Sequence, residues 1–465
     1  MKLRLALGLL AVAFTGTTWA AGNFYLHNGD RVLFYGDSIT EQRYYPVAVE
    51  TYVRTRFPNL KVSFIDSAVG GARVTGNWAV RSEEESLERD VYPFKPTVVT
   101  IMLGMNDGLY QPLTPAILDT YRTGYEDIVQ SLQAHLPGVR IVPIQPSPWD
   151  DVTVTSGYSF HQATWPPPDV AGGYNETMMR FSRFVKKLGE EHHFLVVDFN
   201  TPLVKLMEEA VKTEPALAGK IIPGRVHPGA SGELAMAQAL LKAWGAPATV
   251  TRVDINAVDR RVEQSVSTKV SDLAASSGIV TWAQTDQCLP YPIMTLHADD
   301  WPQFPPDPFA PGPTRIFWHL PPLKGDTINP VALMIVNFMK MYQQLDAEIL
   351  KVGGLQAPSY SLAIDGESVA TFSREQLAAG VNLAEYETPM MDQADKVLTL
   401  VWKEEDVRFF GWRAIQVPLW NDTTPEMREA VDQLLTKLEE EQAALATQAS
   451  AEAQPRTWHY ELRPM

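Results

Sequence analysis

The sequence has almost no cysteine, since Cys288 is the single one among 465 residues. A lone cysteine cannot form an intramolecular disulfide or supply a cysteine-based zinc or redox motif. We therefore expect Cys288 to be a small buried hydrophobic residue. The nine histidines are scattered, and the adjacent His192 and His193 do not share one face of a helix. The sequence predicts no metal site and no cofactor, and we expect this pair on the surface or at a helix end.

Basic clusters and long apolar runs are also missing. The chain carries 39 Lys and Arg against 55 Asp and Glu, a net charge of −16. Nucleic acids and anionic membranes are bound through clustered basic side chains, so neither is an expected partner. No apolar run reaches the roughly 18 residues that a membrane-spanning helix needs.

The first twenty residues have the pattern of a cleavable secretory signal. Lys2 and Arg4 precede an apolar run at 5–14, and small residues follow up to Ala20 and Ala21. A basic start, a short apolar run and a small-residue end are typical of export followed by cleavage. We expect a secreted or periplasmic protein without a membrane span, whose mature net charge is about −18.

The remaining composition is that of a globular protein, with 45% hydrophobic and 20% charged residues. Between residues 31 and 245, short β-branched runs alternate with segments that carry apolar residues at helical spacing. The predicted strands are 31–35, 61–66, 97–103, 139–145 and 194–198, and the predicted helices are 47–57, 117–136, 178–188 and 233–244. Mostly apolar strands separated by helices indicate an α/β fold with a parallel sheet covered on both faces. In such a sheet, functional side chains collect at the carboxyl ends of the strands.

The pattern changes near residue 249. A β-type run at 249–253 is followed by a stretch at 301–322 with eight prolines, which we expect to be an irregular loop. The runs 360–364 and 368–372 predict a hairpin with an Asp-Gly turn, and Thr424 and Pro425 predict the start of a charged helix that ends near residue 446. The last fifteen or so residues are interpreted as a tail. The predicted division is a signal peptide at 1–20, an α/β domain at 21–248 and a mixed α+β accessory region at 249–465.

Four segments of the α/β domain carry residues suited to acyl transfer. Ser38 lies in Gly-Asp-Ser-Ile-Thr at the turn after the first strand, where its backbone N–H can stabilise an oxyanion. The segments after the second and third strands contain Gly71 and Asn106, which are further candidate donors. His227 precedes the last helix and is the candidate general base for Ser38.

These segments resemble, in order and approximate spacing, the characteristic blocks of the SGNH hydrolases, also called the GDSL esterase/lipase family. The resemblance covers residues of about 30–246 and implies a three-layer α/β/α fold and ester hydrolysis through an acyl-serine intermediate. By position, Ser38 resembles the nucleophile and His227 the base. The N–H groups of Ser38 and Gly71 and the side chain of Asn106 resemble the oxyanion hole, with Gly70 as the alternative to Gly71.

The sequence departs from the family where an acidic residue usually precedes the histidine by three positions, because Gly224 stands there. That acid normally orients the imidazole. Two hypotheses follow: a Ser-His dyad oriented by a backbone carbonyl or a distant carboxylate such as Asp198, or a loss of activity. Asp37 and Asp107 are interpreted as residues that hydrogen-bond turns, and Asp198 has the same simpler interpretation.

The sequence therefore predicts an exported serine esterase that acts on small acyl groups, with acetyl esters on a carbohydrate favoured. The expected partner is a small-molecule or polysaccharide ester substrate. Aromatic loops at Trp149, 165–168 and 301–309 are candidates for a sugar-stacking surface. Two alternatives stay open at this stage. One is a lysophospholipase-like hydrolase of lipid acyl groups, and the other is a catalytically silent carbohydrate-binding relative. The accessory region at 249–465 contains no recognisable catalytic set and is expected to pack on the α/β domain.

Overall fold

The computed structural model describes residues 24–77, 80, 82–153, 172–293, 329–420 and 423–465, together with the backbone of two short strands between 158 and 165. The predicted signal peptide and the proline-rich stretch at 301–322 lie outside the described residues. No described helix is long and apolar enough to cross a membrane.

A five-stranded parallel sheet forms the centre of the first half of the chain. Its strands are β1 (Arg31–Gly36), β2 (Ser63–Asp66), β3 (Val98–Met102), β4 (Arg140–Gln145) and, after a small hairpin of β5 (Tyr158–Phe160) and β6 (Ala163–Trp165), β7 (Val197–Asp198). The order across the sheet is β2-β1-β3-β4-β7, and every neighbouring pair is parallel. The α/β class and all five predicted strands are confirmed. The physical reason is that apolar strands need both faces covered, which a parallel sheet between two layers of helices provides.

Helices follow these strands and form two groups. They are α1 (Ser38–Glu41), α2 (Tyr44–Arg56), α3 (Glu83–Asp90), α4 (Pro115–His135), α5 (Asn175–His192), α6 (Asn200–Thr213), α7 (Pro215–Ala218) and α8 (Ala230–Ala243), with a short 3₁₀ turn at Tyr92–Phe94. Helix α4 contacts α3 and α5, whereas α8 contacts α2 and α6. The sheet is thus the middle of three layers, as the family resemblance implies.

Two further sheets form a β-sandwich in the second half. Their strands are β8 (Thr249–Asn256), β9 (Arg261–Val266), β10 (Thr268–Ser276), β11 (Ile279–Asp286), β12 (Ala347–Gly353), β13 (Ser359–Ile364), β14 (Glu367–Ser373), β15 (Val381–Asn382) and β16 (Thr457–Pro464). One sheet has the order β10-β11-β16-β13-β14, and the other has the order β15-β12-β8-β9. Side chains of β12 and β13 alternate between buried and partly exposed, as expected for strands with one face on a core.

The predicted hairpin is confirmed, and the predicted tail is wrong. Strands β13 and β14 pair across Asp365 and Gly366, which both have positive φ, the geometry of a tight hairpin turn. The last residues instead form β16, which lies between β11 and β13 and pairs with both. Tyr460 and Leu462 of this strand are buried, and this burial explains why the segment is ordered.

Further helices of the second half pack against the first. They are α9 (Pro330–Phe338), α10 (Met341–Leu345), α11 (Arg374–Ala379), α12 (Pro389–Phe409) and α13 (Pro425–Glu452), with a 3₁₀ turn at Leu383–Glu385 and a π-helix at Phe410–Gln416. Thr424 caps α13 as predicted by accepting a hydrogen bond from the Met427 N–H. Buried apolar residues of α9, α10 and α12 belong to the same core as the parallel sheet, whereas the sandwich has a core of its own.

Candidate active site

Ser38 lies where β1 turns into α1, and the turn depends on a glycine. A Cβ on Gly36 would lie 2.3 Å from Thr40 Oγ1 and 3.1 Å from the carbonyl oxygen of Met102, so no larger residue fits there. The Asp37 carboxylate accepts a hydrogen bond from the Ile39 N–H, which confirms the interpretation of Asp37 as a turn residue. Ser38 is therefore the first residue of α1 and is partly exposed at the carboxyl edge of the sheet.

His227 is brought to Ser38 from the loop that precedes α8. Ser38 Oγ and His227 Nε2 are 2.8 Å apart although the two residues are 189 positions apart in the chain. This distance is within the reach required of a nucleophile and its general base. The structure thus brings together the two residues that the sequence singles out for proton transfer.

The backbone N–H groups near Ser38 distinguish Gly71 from Gly70. The Gly70 N–H donates to Glu41 Oε2 at 2.7 Å, and a Cβ on Gly70 would lie 3.7 Å from the Ser38 Cβ. In the described part of the chain, the N–H groups of Ser38 and Gly71 donate to no protein acceptor. Gly71 has φ +76°, a conformation that glycine adopts without strain. The Gly70 N–H is thus already bonded within the protein, and Gly71 stays the predicted oxyanion donor.

Asn106 lies beside the same turn, and its carboxamide is held in one orientation. Its Nδ2 donates to the Ala72 carbonyl oxygen at 3.1 Å, and its Oδ1 accepts from the Tyr110 hydroxyl at 3.0 Å. The Tyr110 ring stacks on Tyr174. Since a hydroxyl donor fixes which end of the amide is the oxygen, Tyr110 keeps the donor end of Asn106 toward the turn that contains Gly71. The sequence pattern did not identify Tyr110, although it follows Asn106 by four residues.

Two buried carboxyl groups flank these residues. Asp107 Oδ1 accepts from the Val74 N–H, so Asp107 also holds a turn, as predicted. The pKa of Asp37 is raised to about 7, because burial and, to a smaller extent, the nearby Asp107 and Glu41 raise it more than the Ile39 N–H lowers it. Burial likewise raises the pKa of Asp107 to about 7. The pKa values of both carboxyl groups therefore lie above the ordinary value of an aspartate, because burial disfavours the charged form.

The position three residues before His227 provides no carboxylate. Gly224 is exposed and has φ +74°. The hypothesis that Asp198 orients the imidazole has a competing observation, because Asp198 Oδ1 accepts from the N–H groups of Asn200 and Thr201 at the start of α6. Asp198 therefore fits the simpler interpretation of a turn residue.

Asp150 and Asp151, in the segment after β4, contact the loop that carries His227. The Asp150 N–H donates to the Arg225 carbonyl oxygen at 3.0 Å, and Asp151 forms an ion pair with Arg225 at 3.5 Å. The Asp150 carboxylate accepts from the backbone of Val152 and Thr153. These contacts attach the loop that carries His227 to the carboxyl end of β4 and so fix its position over the sheet edge.

Other predicted features can be compared with the described residues. Trp149 is 1% exposed and packs against Tyr110 and Tyr174, so its assignment to a sugar-stacking surface is wrong. The side chains of 165–168 and 301–309 lie outside the described residues. Cys288 is buried, and burial raises the pKa of its thiol to about 12. His192 ends α5, His193 follows it, and both are exposed, as predicted.

No metal centre is found among the described residues, in which no group of three or more His, Cys, Asp or Glu side chains is arranged to hold an ion. The candidate site contains a serine, a histidine and hydrogen-bond donors. This combination is suited to nucleophilic attack on a carbonyl carbon and stabilisation of the resulting oxyanion.

This chain is similar in sequence and in fold to several known proteins. Residues 34–235 match the model of the GDSL-like lipase/acylhydrolase family. An acetylxylan esterase of Geobacillus stearothermophilus is 26% identical over 239 residues, which are 47% of this chain and 95% of the relative. The solved structure of a gut microbial diltiazem-metabolizing enzyme matches 96% of this chain and 100% of its own, with a TM-score of 0.73 and 22% sequence identity. The combination of parallel sheet, sandwich and connecting helices is thus a shared fold.

Proposed function

We propose that this chain, whose residues 34–235 match the GDSL-like lipase/acylhydrolase family model, hydrolyses small acyl esters through an acyl-Ser38 intermediate. The favoured substrates are acetyl esters of carbohydrates, and the favoured location is outside the cytoplasm, either secreted or periplasmic. The observation that carries the proposal is the 2.8 Å contact between Ser38 Oγ and His227 Nε2.

The reaction follows from the positions of the donors and the base. His227 Nε2 takes the proton of the Ser38 hydroxyl while Oγ attacks the ester carbonyl carbon, and the carbonyl π electrons move onto its oxygen. The N–H groups of Ser38 and Gly71 and the Asn106 Nδ2 donate to that oxyanion. Collapse of the tetrahedral adduct releases the alcohol with the proton from His227. Water then repeats the sequence on the acyl-serine, releases the carboxylic acid and restores Ser38.

The choice of acetyl esters on carbohydrates rests on three supports. The matched relative from Geobacillus stearothermophilus is an acetylxylan esterase, the first twenty residues predict export, and the net charge of −16 disfavours strongly anionic substrates. A polysaccharide ester outside the cell satisfies all three. The proposal requires neither a metal nor an organic cofactor.

Ser38→Ala tests the nucleophile with p-nitrophenyl acetate as substrate. We expect kcat to fall at least about 1000-fold, because removal of a catalytic nucleophile leaves the oxyanion donors alone to act. Ser147→Ala is the matched control, since Ser147 is a fully buried serine after β4 and is expected to leave kcat within about 2-fold. A fluorophosphonate should label Ser38 in the wild type and not in Ser38→Ala. Equal turnover by both proteins would refute the assignment.

Acyl chain length and a polymeric substrate test the specificity. We expect the specificity constant to fall from p-nitrophenyl acetate to longer acyl esters, and acetate to be released from acetylated xylan. A maximum at long acyl chains, with hydrolysis of lysophospholipid and none of acetylated xylan, would support the lipid alternative and overturn the carbohydrate proposal.

A further inference from the structure

A π-helix in the second half of the chain reaches the predicted oxyanion turn. Helix α12 continues directly into the π-helix Phe410–Gln416, which contains Arg413. π-Helices are rare and are frequently found at functional sites. Arg413 Nε donates to Glu41 Oε1 at 2.6 Å, and the two side chains are 18% and 10% exposed.

Glu41 connects this arginine to the backbone beside the nucleophile. One carboxylate oxygen accepts from Arg413, and the other accepts from the Gly70 N–H at 2.7 Å. Gly70 precedes the predicted oxyanion donor Gly71, and a Cβ on Gly70 would lie 3.7 Å from the Ser38 Cβ. Arg413, Glu41 and the Gly70 N–H therefore form a chain of contacts that ends at a backbone position next to Ser38. We call it the Arg413–Glu41–Gly70 relay.

The relay depends on Glu41 being ionised in a buried place. The pKa of Glu41 lies above its ordinary value, because burial raises it more than Arg413, the Gly70 N–H and Arg43 lower it. Loss of the Arg413 charge would favour the protonated acid, which accepts a hydrogen bond from Gly70 less strongly than a carboxylate does. The turn at Gly70 and Gly71 would then lose the contact that fixes it. A displacement of this turn would move the Gly71 N–H away from the oxyanion.

We propose that Arg413 is a positioning residue of the esterase, which acts through Glu41 to hold the Gly70–Gly71 turn in the geometry that stabilises the oxyanion. This inference rests on the proposed function of Ser38 and Gly71 and extends it to the C-terminal half. The second half of the chain then contributes a positioning residue to the site, and Arg413 itself does not touch the reacting atoms.

Arg413→Gln and Arg413→Lys test the relay, with p-nitrophenyl acetate as substrate. We expect Arg413→Gln to lower kcat roughly 10- to 100-fold with KM within about 2-fold, because oxyanion stabilisation is needed in the transition state and not in the ground state. Arg413→Lys keeps the positive charge and should recover part of kcat. The rate of fluorophosphonate labelling at Ser38 should fall together with kcat.

Arg54→Gln is the matched control. Arg54 is 9% exposed and pairs with Glu50 of its own helix α2 and with Glu404 of α12, so its loss breaks a buried contact of the same interface without touching the relay. Removal of one partner of a buried ion pair destabilises the fold, and both variants are therefore expected to melt at lower temperature. At a temperature well below both transitions, Arg54→Gln should keep kcat within about 2-fold of the wild type.

The double variant Glu41→Gln/Arg413→Gln controls for misfolding of Arg413→Gln. It removes both charges of the pair and therefore leaves no buried unpaired charge in the relay. It should lose about the same factor in kcat as Arg413→Gln alone, since both variants break the same chain of contacts. If Arg413→Gln and the double variant both keep the kcat of Arg54→Gln, the inference is overturned. Ser38→Ala separates the two proposals: its inactivity with an unaffected Arg413→Gln rejects the relay alone, whereas its full activity rejects the proposed function.

Discussion

The parallel sheet and the C-terminal sandwich are built from strands with different sequence relationships. Consecutive strands of the parallel sheet are joined by segments that contain helices, and their carboxyl ends all lie at one edge. In the sandwich, the central strand β16 is formed by residues 457–464 and pairs with residues 279–286 and 359–364. Candidate site residues that follow the strands of a parallel sheet can therefore be predicted from the sequence, whereas a sheet assembled from distant segments cannot.

The two regions are nevertheless connected through charged contacts. Arg43 and Arg54 of the first half pair with Asp406 and Glu404 of α12, and Arg413 pairs with Glu41. Apolar residues of α12 also share the core of the parallel sheet. The division into cores therefore differs from the order of the chain, since α12 shares the core of the parallel sheet, whereas the β-sandwich has a core of its own. The predicted boundary at 248–249 stays a prediction.

Tyr460→Ala should cause the largest loss of stability among these variants. It also tests whether the β-sandwich and the parallel-sheet half contribute differently to stability and to activity. Tyr460 is 1% exposed and stacks on Trp282 at 4.9 Å between ring centroids. Truncation of a buried aromatic side chain costs about 3–5 kcal/mol of unfolding free energy. Met465→Ala is the control, because Met465 is 71% exposed at the same end of the chain. Chemical denaturation monitored by tryptophan fluorescence measures both variants, and equal stability would contradict the central position of β16.

The same variants also test how independent the catalytic half is. At a temperature where Tyr460→Ala is still folded, we expect its kcat to stay within about 2-fold of the wild type, since distant sites contribute additively. A kcat that falls in parallel with stability would show that the sandwich supports the site directly.

The catalytic half should lose stability as the pH rises, because two carboxyl groups are buried beneath the site. The folded-state pKa of Asp107 is about 7, above the ordinary value of about 4, so the folded protein binds this proton more tightly than the unfolded chain. Its contribution is fully present below about pH 4 and is lost as the pH rises to about 7. Asp37 contributes in the same direction, since its pKa is also raised to about 7.

Asp107→Asn is the variant that sharpens this prediction. Between about pH 4 and pH 7, the unfolding free energy of the wild type should decrease with rising pH. In Asp107→Asn this slope should be smaller by up to about 1.4 kcal/mol per pH unit. Asp119→Asn serves as the control, since the Asp119 side chain is 71% exposed. Urea denaturation at a series of pH values measures the slopes, and an unchanged slope in Asp107→Asn would argue against a protonated Asp107 in the folded state.

Tyr110→Phe should have the smallest effect of the three and would affect catalysis without affecting the fold. Without the hydroxyl that donates to Asn106 Oδ1 at 3.0 Å, the carboxamide can turn its oxygen toward the substrate. We expect kcat to fall about 10-fold, which corresponds to about 1.4 kcal/mol, with little change in KM. Tyr125→Phe removes a buried hydroxyl that donates to the Ile101 carbonyl oxygen instead. A kcat in Tyr110→Phe equal to that of this control would rule out a role in positioning Asn106.

Much of the catalytic half could be predicted because its signals are local. The strands, the helices that follow them, and the turns that contain Ser38, Gly71 and Asn106 each depend on residues near one another in the sequence. The burial of Trp149 could not be predicted, because a tryptophan in a loop is equally suited to a surface or to packing. Tyr110 donates a hydrogen bond to Asn106 and stacks on Tyr174. No periodic pattern in the sequence indicates these two contacts.

Hydrophobic periodicity and turn glycines act over a few residues, so the covered parallel sheet and the candidate residues for acyl transfer can be predicted from the sequence. Tertiary packing produces the 2.8 Å contact of Ser38 with His227, the hydrogen bond from the Gly70 N–H to Glu41, and the contact of Glu41 with Arg413 of the second half of the chain. It also decided that the last residues form the central strand of a sheet. Such contacts join segments that are far apart along the chain, so they are fixed by packing and charge pairing in the folded protein.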